Sequence, residues 1–325
     1  MNASADTSVL AVSGLAVHFP TSRGVVHAVD DVTLDLARGE TLGLVGESGC
    51  GKSTLCKAIL GLVPVTAGAV ALEGITLTGL SRRELRRHRP ALQMIFQDPN
   101  ASLNPRITVG RIVEEPLIVN RRGTAPERRE RVAWLLSRVG LSIEAADRYP
   151  HEFSGGQRQR IGIARALALS PKVIVCDEPV SALDVSVQAQ VVNLLGDLQA
   201  ELGLSYLFVS HDLSVIRHVA HRVGVMYLGH LVELAPAPLL FRRPLHPYTR
   251  KLIAAVPSLT PPSPAAGTAQ AQPLDSDEVP SPIDPPSGCR FRTRCPLATE
   301  VCAAHVPPLT TMPDGRQVAC HHVSP

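Results

Sequence analysis

The chain has few aromatic residues and almost no net charge. Of its 325 residues, one is Trp, four are Tyr and six are Phe, and 32 Lys and Arg stand against 29 Asp and Glu. A protein that grips single strands needs stacking rings, and one that binds duplexes needs excess positive charge. The composition therefore argues against a nucleic-acid partner. With 45% hydrophobic residues, the chain has enough apolar material for a large core.

The sequence also lacks a long uncharged apolar run. The best stretch, residues 58–72, is shorter than the ~20 residues that a spanning helix needs, and Pro64 interrupts it. Residues 1–12 show neither the basic start nor the apolar segment of a secretory signal. We therefore expect the protein to stay in the cytosol, where its seven cysteines are reduced.

The first part of the chain predicts strands around a glycine-rich turn. Residues 12–19 and 32–36 alternate between apolar and polar side chains, as in antiparallel strands that are solvated on one face. Residues 41–45 predict a buried strand, which leads through the turn into a helix over residues 52–62. Residues 70–77 alternate again and predict one more strand.

The remainder predicts a helical insert followed by a second α/β section. Residues 81–148 are rich in Arg, with helical spacing and few strand signals. Strands are predicted at 173–176 and 205–209 with a helix at 188–202 between them, and a hairpin at 223–234. Strands that alternate with helices predict a mostly parallel sheet with helices on both faces.

Residues 46–53 read Gly-Glu-Ser-Gly-Cys-Gly-Lys-Ser, the G-x-x-x-x-G-K-S pattern of a phosphate-binding loop between a strand and a helix. Its glycines let backbone N–H groups turn towards phosphate oxygens, and the helix N-terminus adds a positive dipole end. Lys52 supplies a charge at the β- and γ-phosphates, and the Ser53 hydroxyl suits Mg²⁺. The predicted nucleotide-binding residues here are Gly46, Glu47, Ser48, Gly49, Cys50, Gly51, Lys52, Ser53 and Thr54.

A second motif lies downstream, where the apolar strand at 173–176 ends in two acidic residues. Strands that end in acids are common, so the pair gains its meaning from the phosphate loop upstream. In that context we expect Asp177 to hold Mg²⁺. Glu178 would stand beside the γ-phosphate and polarise the attacking water.

Residues 153–160 read Phe-Ser-Gly-Gly-Gln-Arg-Gln-Arg, and with the two motifs above they resemble the ATP-binding cassettes of ABC-type ATPases. The resemblance implies roles for further residues in the family's order. Gln97 resembles the Q-loop glutamine, which contacts Mg²⁺ or water. Asp184 resembles the D-loop aspartate, and His211 resembles the catalytic switch histidine at the γ-phosphate. Phe19 stands where the family often has a ring that stacks on adenine.

Ser154, Gly155, Gly156 and Gln157 form the centre of this signature loop. Ser is a good N-cap, and the two glycines expose backbone N–H groups before a predicted helix, which makes a second anion site. The resemblance implies that this site acts on ATP held by a partner subunit, so that two ATP are sandwiched between two ATPases. The implied fold is an α/β P-loop NTPase cassette with a mostly parallel core sheet, an antiparallel N-terminal β-subdomain and an inserted helical subdomain.

Residues 98–105, 148–153, 246–249 and 288–296 are similar to the ATP-binding subunits of oligopeptide and dipeptide importers, and among these to the F-type subunit. The resemblance implies an ATPase at the cytoplasmic face of the membrane. Its partners would be two permease subunits, a second ATPase of the D type and an extracytoplasmic peptide-binding protein. The alternatives are another cargo, such as nickel chelates or antimicrobial peptides, and a soluble ABC ATPase that acts on ribosomes or DNA.

The resemblance also divides the chain. It implies a nucleotide-binding domain at 1–256 with the helical subdomain at about 87–165, a Pro-rich linker at 257–287 and a Cys-rich C-terminal region at 288–325. Residues 101–117 would lie near a permease. The apolar side chains that we expect to dock there are Leu103, Ile107, Val109, Ile112 and Val113.

The C-terminal region holds four of the seven cysteines in C-x5-C-x6-C-x17-C spacing, namely Cys289, Cys295, Cys302 and Cys320. Zinc sites prefer paired C-x2-C, whereas four thiolates in a cytosolic chain suit a [4Fe–4S] cluster. The family resemblance also implies this cluster, and zinc or plain reduced thiols are the alternatives. The expected cofactors are therefore ATP, Mg²⁺ and an iron–sulfur cluster.

Overall fold

The computed structural model describes residues 8–255 and 279–324. Most of the linker predicted at 257–287 lies outside the described residues. The strands are β1 Ser8–Thr21, β2 Gly24–Ala37, β3 Thr41–Val45, β4 Ala67–Leu72, β5 Ile75–Thr76, β6 Leu92–Ile95, β7 Val173–Asp177, β8 Ser205–Val209, β9 Arg222–Tyr227, β10 His230–Pro236, β11 Thr310–Thr311 and β12 Gln317–Val318. The helices are α1 Lys52–Ile59, α2 Arg82–His88, α3 Pro99–Ser102, α4 Val109–Val119, α5 Ala125–Arg138, α6 Gly155–Leu167, α7 Val185–Leu202, α8 Leu213–Val219, α9 Ala237–Arg242, α10 Pro247–Ala254 and α11 Glu300–Ala304.

The smaller sheet is antiparallel, with the order β2-β1-β4-β5. Leu34 and Leu36 are buried and Asp35 is exposed, so the alternation predicted at 32–36 is confirmed. At 12–19 the predicted alternation is wrong, because β1 is irregular there and Leu15, Ala16 and Val17 are all buried. The single strand predicted at 70–77 is wrong. The chain reverses at Glu73 and Gly74, which both have positive φ, and it forms the two short strands β4 and β5.

The larger sheet has the order β11-β12-β10-β9-β3-β8-β7-β6, and the five strands from β9 to β6 are parallel. Alternate residues of its central strands pack into two different hydrophobic cores, one on each face of the sheet. Val173 and Val175 of β7 pack with the smaller sheet and α1, whereas Ile174 and Cys176 pack with the helices on the opposite face. Because both faces are covered, β7 reads as a continuous apolar run.

The helical insert differs from its prediction in two ways. Strand β6 lies within the stretch that shows few strand signals, because four residues are too few for a clear period. The five apolar residues expected to dock on a permease are also not available for docking. Leu103, Val109, Ile112 and Val113 are at most 3% exposed and Ile107 is partly buried, because they pack among α4, α5 and α6.

The C-terminal region extends the core instead of standing apart from it. Strand β12 pairs with β10, and the buried ring of Phe291 lies 5.2 Å from that of Tyr227 and 5.4 Å from that of Tyr248. No helix among residues 8–255 and 279–324 combines the length and the hydropathy that crossing a membrane requires.

A buried polar pair joins β10 to α10. The carboxylate of Glu233, 0% exposed, accepts from the backbone N–H groups of Leu245 and His246, each at 2.9 Å. The ring of His246 is also buried, and its Nδ1 accepts from the backbone N–H of Tyr248 at 3.0 Å. Burial lowers the pKa of His246 to about 4, so the folded protein holds this ring neutral.

This burial predicts an acid-sensitive fold. The stability that neutral His246 contributes is complete above its ordinary pKa of 6.5 and is lost as the pH falls towards about 4, a difference of about 3 kcal/mol in unfolding free energy. We expect His246→Asn, which keeps an acceptor for the Tyr248 N–H, to flatten this dependence. Urea unfolding between pH 7.5 and 4 measures it; equal slopes in parent and variant would contradict the prediction.

Candidate functional site

The predicted nucleotide residues follow strands that end at one edge of the larger sheet. The phosphate loop follows β3, Gln97 follows β6, Asp177 ends β7 and His211 follows β8. These strands are mutually parallel, so their carboxyl ends lie side by side. That edge is where open α/β sheets bind ligands.

Two glycines let the phosphate loop pass between neighbouring backbones. Gly46 has φ 155°, and a Cβ there would lie 2.3 Å from the carbonyl oxygen of Met226. Gly51 has φ 104°, and its Cβ would lie 2.0 Å from the carbonyl oxygen of Ala28. Any other residue at either position would push the loop away from the sheet.

Lys52, the first residue of α1, turns back into the loop. Its Nζ donates to the carbonyl oxygens of Gly46 at 2.7 Å and Glu47 at 3.0 Å, and the side chain is almost fully buried. The ammonium therefore lies inside the loop, where an incoming phosphate can exchange for these carbonyls.

The predicted Mg²⁺ residues Ser53 and Asp177 are in contact. Ser53 Oγ donates to Asp177 Oδ1 at 2.9 Å, and Asp177 is 5% exposed. Burial raises the pKa of Asp177, which means that its negative charge lacks compensation from its surroundings. A hydroxyl beside an under-compensated carboxylate fits Mg²⁺, which prefers oxygen ligands.

Glu178 receives two predicted partners. Gln97 Nε2 donates to Glu178 Oε2 at 2.8 Å, and His211 Nδ1 lies 3.2 Å from the same oxygen. Glu178 also has φ 48°, a conformation that is rare outside glycine and that costs about 1–3 kcal/mol. The fold thus holds this carboxylate in a strained backbone between an amide and an imidazole.

These residues surround a cavity of about 660 Å³. Val26, Ala28 and Pro282 also line it; they carry no motif, and only their place in space reveals them. The sequence-predicted residues along its wall are Phe19, Ser48, Gly49, Gly51, Lys52, Ser53, Thr54, Gln97, Glu178 and His211.

The signature loop does not line this cavity. Ser154 caps α6, because its Oγ accepts from the N–H of Gln157 at 3.3 Å while Gln157 Oε1 accepts from the Ser154 N–H at 3.0 Å. At Gly156 a Cβ would lie 2.4 Å from a methyl carbon of Val187. Asp184, the predicted D-loop residue, stands at the N-cap position of α7 without a side-chain cap hydrogen bond, and it is exposed.

The structure also shows a clamp on the phosphate loop, formed by Arg294 and Tyr248 on Glu47, which no sequence motif predicts. Arg294 donates to both oxygens of Glu47, at 2.8 and 3.1 Å, and Arg294 is buried. The Tyr248 hydroxyl accepts from the Glu47 N–H at 2.9 Å. The C-terminal region thus holds the side chain of Glu47 through Arg294, while Tyr248 of α10 holds its backbone.

All four tail cysteines are free, and their thiols influence one another. Burial, aided by Cys302, Cys295 and Cys320, raises the pKa of Cys289 to about 11. Among the described residues, no three of the sulfur atoms all lie within 4.8 Å of one another. A zinc ion would need separations of about 3.8 Å, so the spacing is wider than a single zinc site.

The outer part of this cysteine group has further polar neighbours. His322 Nε2 lies 3.5 Å from Cys302 Sγ.

The other three cysteines, Cys50, Cys56 and Cys176, are buried in the nucleotide fold as packing residues.

Comparisons with known proteins match two family models. The model described as ABC transporter matches residues 29–181. The model described as oligopeptide/dipeptide transporter, C-terminal region, matches residues 232–302, which begin within β10.

Similar proteins cover nearly the whole chain. A probable peptide ABC transporter ATP-binding protein of Sinorhizobium fredii is 53% identical over 98% of this chain and 93% of its own. The oligopeptide transport ATP-binding protein OppF of Escherichia coli is 55% identical over 93% of this chain and 92% of its own. The dimeric ATP-binding cassette MJ0796, bound to ADP and Pi, is 32% identical with a TM-score of 0.64, over 70% of this chain and 98% of that one.

The clamp predicts a role for the C-terminal region in nucleotide binding. Arg294→Ala removes the bidentate partner of Glu47. Charged hydrogen bonds contribute about 1.5–3 kcal/mol each, so we expect the loop to loosen and the Kd for ATP to rise about tenfold. Arg292→Ala is the matched control, because Arg292 contacts Ser287 in the tail. Calorimetric titration with ATP measures both, and an unchanged Kd for Arg294→Ala would refute the role.

Proposed function

Because this chain belongs to the ABC transporter family, of which it is an ATP-binding and ATP-hydrolysing member, we propose that it energises peptide import across the cytoplasmic membrane. The match to the oligopeptide/dipeptide transporter C-terminal region supports a peptide cargo. The relatives' names support a system with permeases and a binding protein. The chain would work peripherally at the cytoplasmic face, where ATP is available.

In this proposal the cavity holds ATP. The adenine stacks on Phe19 at the rim, and the phosphates enter the loop that follows β3. Lys52 leaves the carbonyls of Gly46 and Glu47 and binds the β- and γ-phosphates, with the loop N–H groups around them. Ser53, Gln97 and Asp177 would hold Mg²⁺, which neutralises phosphate charge.

Glu178 acts as the general base. Its carboxylate lies next to Gln97 and His211, so a water at the γ-phosphate can donate a proton to Glu178 while His211 positions the phosphate. The single observation that carries this role is the placement of Glu178 in the wall of the same cavity as Lys52 and Ser53.

A second ATPase subunit completes each site. The signature residues Ser154, Gly155, Gly156 and Gln157 lie outside the chain's own cavity, yet they begin a 13-residue helix whose N-terminus suits a phosphate. Val185, beside Asp184, is 82% exposed and suits a protein contact. We propose a D-type ATPase as this partner, with two ATP between the subunits.

The test uses Glu178→Gln in complex with its permeases. We expect ATP to bind with its usual affinity, while hydrolysis falls at least about a hundredfold and peptide uptake into vesicles stops, because the amide cannot accept the proton. Lys52→Ala, as the comparison variant, loses ATP binding itself.

Hydrolysis at the parent rate by Glu178→Gln would remove the assigned base. Purification of the tagged parent chain distinguishes a transport function from action on ribosomes or DNA. Permeases in the complex support transport, whereas ribosomes or DNA in their place would overturn it.

We further propose that the tail cysteines hold a [4Fe–4S] cluster. The support is that four free thiols, Cys289, Cys295, Cys302 and Cys320, share one neighbourhood at a spacing too wide for a single zinc ion. Such a cluster would cross-link the tail through its four thiolate ligands. Its positive irons would offset the cost of ionising a thiol whose pKa burial has raised.

Anaerobic purification tests the cluster. We expect brown protein with about four irons per chain, and colourless protein with little iron for Cys289→Ser. Cys56→Ala, a buried thiol of the nucleotide fold, should keep the iron. Iron and sulfide analysis measures both, and parent protein that carries zinc or no metal would overturn the proposal.

A further inference from the structure

A cluster of histidines lies near the turn of the β1–β2 hairpin, outside the nucleotide cavity. His18 of β1 and His27 of β2 face each other in the strand register, with ring centroids 4.3 Å apart. Asp30 of β2 lies beside both rings. The donor atoms of these three side chains all lie within 4.8 Å of one another, and no other such group of three occurs among the described residues.

The distances suit one bound cation. His18 Nε2 lies 3.3 Å from Asp30 Oδ1, and His27 Nδ1 lies 3.5 Å from Asp30 Oδ2. A tetrahedral ion with bonds of about 2.0–2.1 Å requires its ligand atoms to be roughly 3.4 Å apart. The two contacts involve different oxygens of Asp30, and each distance is close to this separation.

Hydrogen bonding leaves part of the cluster without partners. His27 Nδ1 is buried and makes no hydrogen bond; its contact with Asp30 Oδ2 at 3.5 Å is an ion pair without hydrogen-bond geometry. A buried imidazole nitrogen without a partner is costly unless a ligand satisfies it. His27 Nδ1, which makes no hydrogen bond, is therefore the atom at which a ligand would bind between the two strands.

We propose that His18, His27 and Asp30 bind a divalent transition-metal ion of the zinc type, at a site separate from that for Mg²⁺. Two imidazoles and one carboxylate suit Zn²⁺, Co²⁺ or Ni²⁺, whereas Mg²⁺ and Ca²⁺ prefer oxygen ligands alone. His230 stands close enough to Asp30 to serve as an outer partner.

The positive charge of Arg290 would repel a bound metal ion, so substitution of Arg290 tests whether the cluster binds one. Its guanidinium donates to Asp30 Oδ2 at 2.7 Å, which places a positive charge next to the site. Removing that charge frees an oxygen and lowers the repulsion on an incoming cation. Arg290→Gln should therefore tighten metal binding, which a merely structural ionic cluster would not show.

The site has a direct route to the nucleotide. His18 precedes Phe19 and His27 precedes Ala28, and both neighbours line the nucleotide cavity. The backbone N–H of His27 also donates to the carbonyl of Pro282, another residue of that cavity wall. A metal at the cluster would therefore fix the β1–β2 hairpin and the segment around Pro282. Both line the cavity in which the base of the nucleotide would bind.

Anaerobic Co²⁺ titration of the full-length, nucleotide-free protein tests the site, because nitrogen and oxygen ligands give visible bands without the intense near-ultraviolet bands of thiolate ligation. We expect one such Co²⁺ per chain in the parent, which Zn²⁺ displaces. The double variant His18→Gln, His27→Gln should bind Co²⁺ at least about a hundredfold more weakly. The control pair, His88→Gln with His218→Gln, should bind like the parent.

The single variant His27→Gln separates loss of a metal ligand from misfolding, because the His27 ring has no hydrogen bond through Nδ1 that the substitution would remove. We expect it to weaken Co²⁺ at least about tenfold, and Arg290→Gln to strengthen it. Parent protein that shows only thiolate bands, or equal visible bands in the parent and in the double variant, would overturn the proposal. Neither result depends on ATP hydrolysis.

Discussion

The parallel ladders that join β6, β7, β8 and β3 set the geometry of the whole site. Ile95 pairs with Cys176, so Gln97 and Glu178 each lie two residues past a paired position, and their side chains meet at 2.8 Å. Asp177 pairs with Val209, which places His211 beside Glu178. A slip of one residue in either ladder would turn these side chains to opposite faces and separate them.

The C-terminal region contacts the phosphate loop through residues that no short motif reveals. It adds β12 to the sheet, seats Phe291 against two tyrosines, and clamps Glu47 through Arg294. Pro282, which precedes that region, lines the nucleotide cavity. The ATP site is therefore built from both ends of the chain, and changes in the tail reach the phosphate loop through one bidentate contact.

Local sequence patterns predicted much of the fold and most of the residues that line the cavity. The strands at 41–45 and 205–209 have the predicted bounds, because buried parallel strands form short, uninterrupted apolar runs. The phosphate loop was predictable because its glycines and lysine are contiguous. Strand β6, the burial of Leu103 and the Arg294 clamp were not, since they depend on which distant segments meet. Periodicity reports that a face is buried, but not what covers it.

The clamp also bears on how the chain matures during synthesis. Glu47 and its partner Arg294 are 247 positions apart, so a ribosome makes the entire cassette before the arginine emerges. Until then the loop has its glycines and Lys52 but lacks the guanidinium that orders it. A nascent chain, or one truncated before Arg294, therefore lacks this contact on its phosphate loop, and the loop gains it only once the C-terminal region has been made.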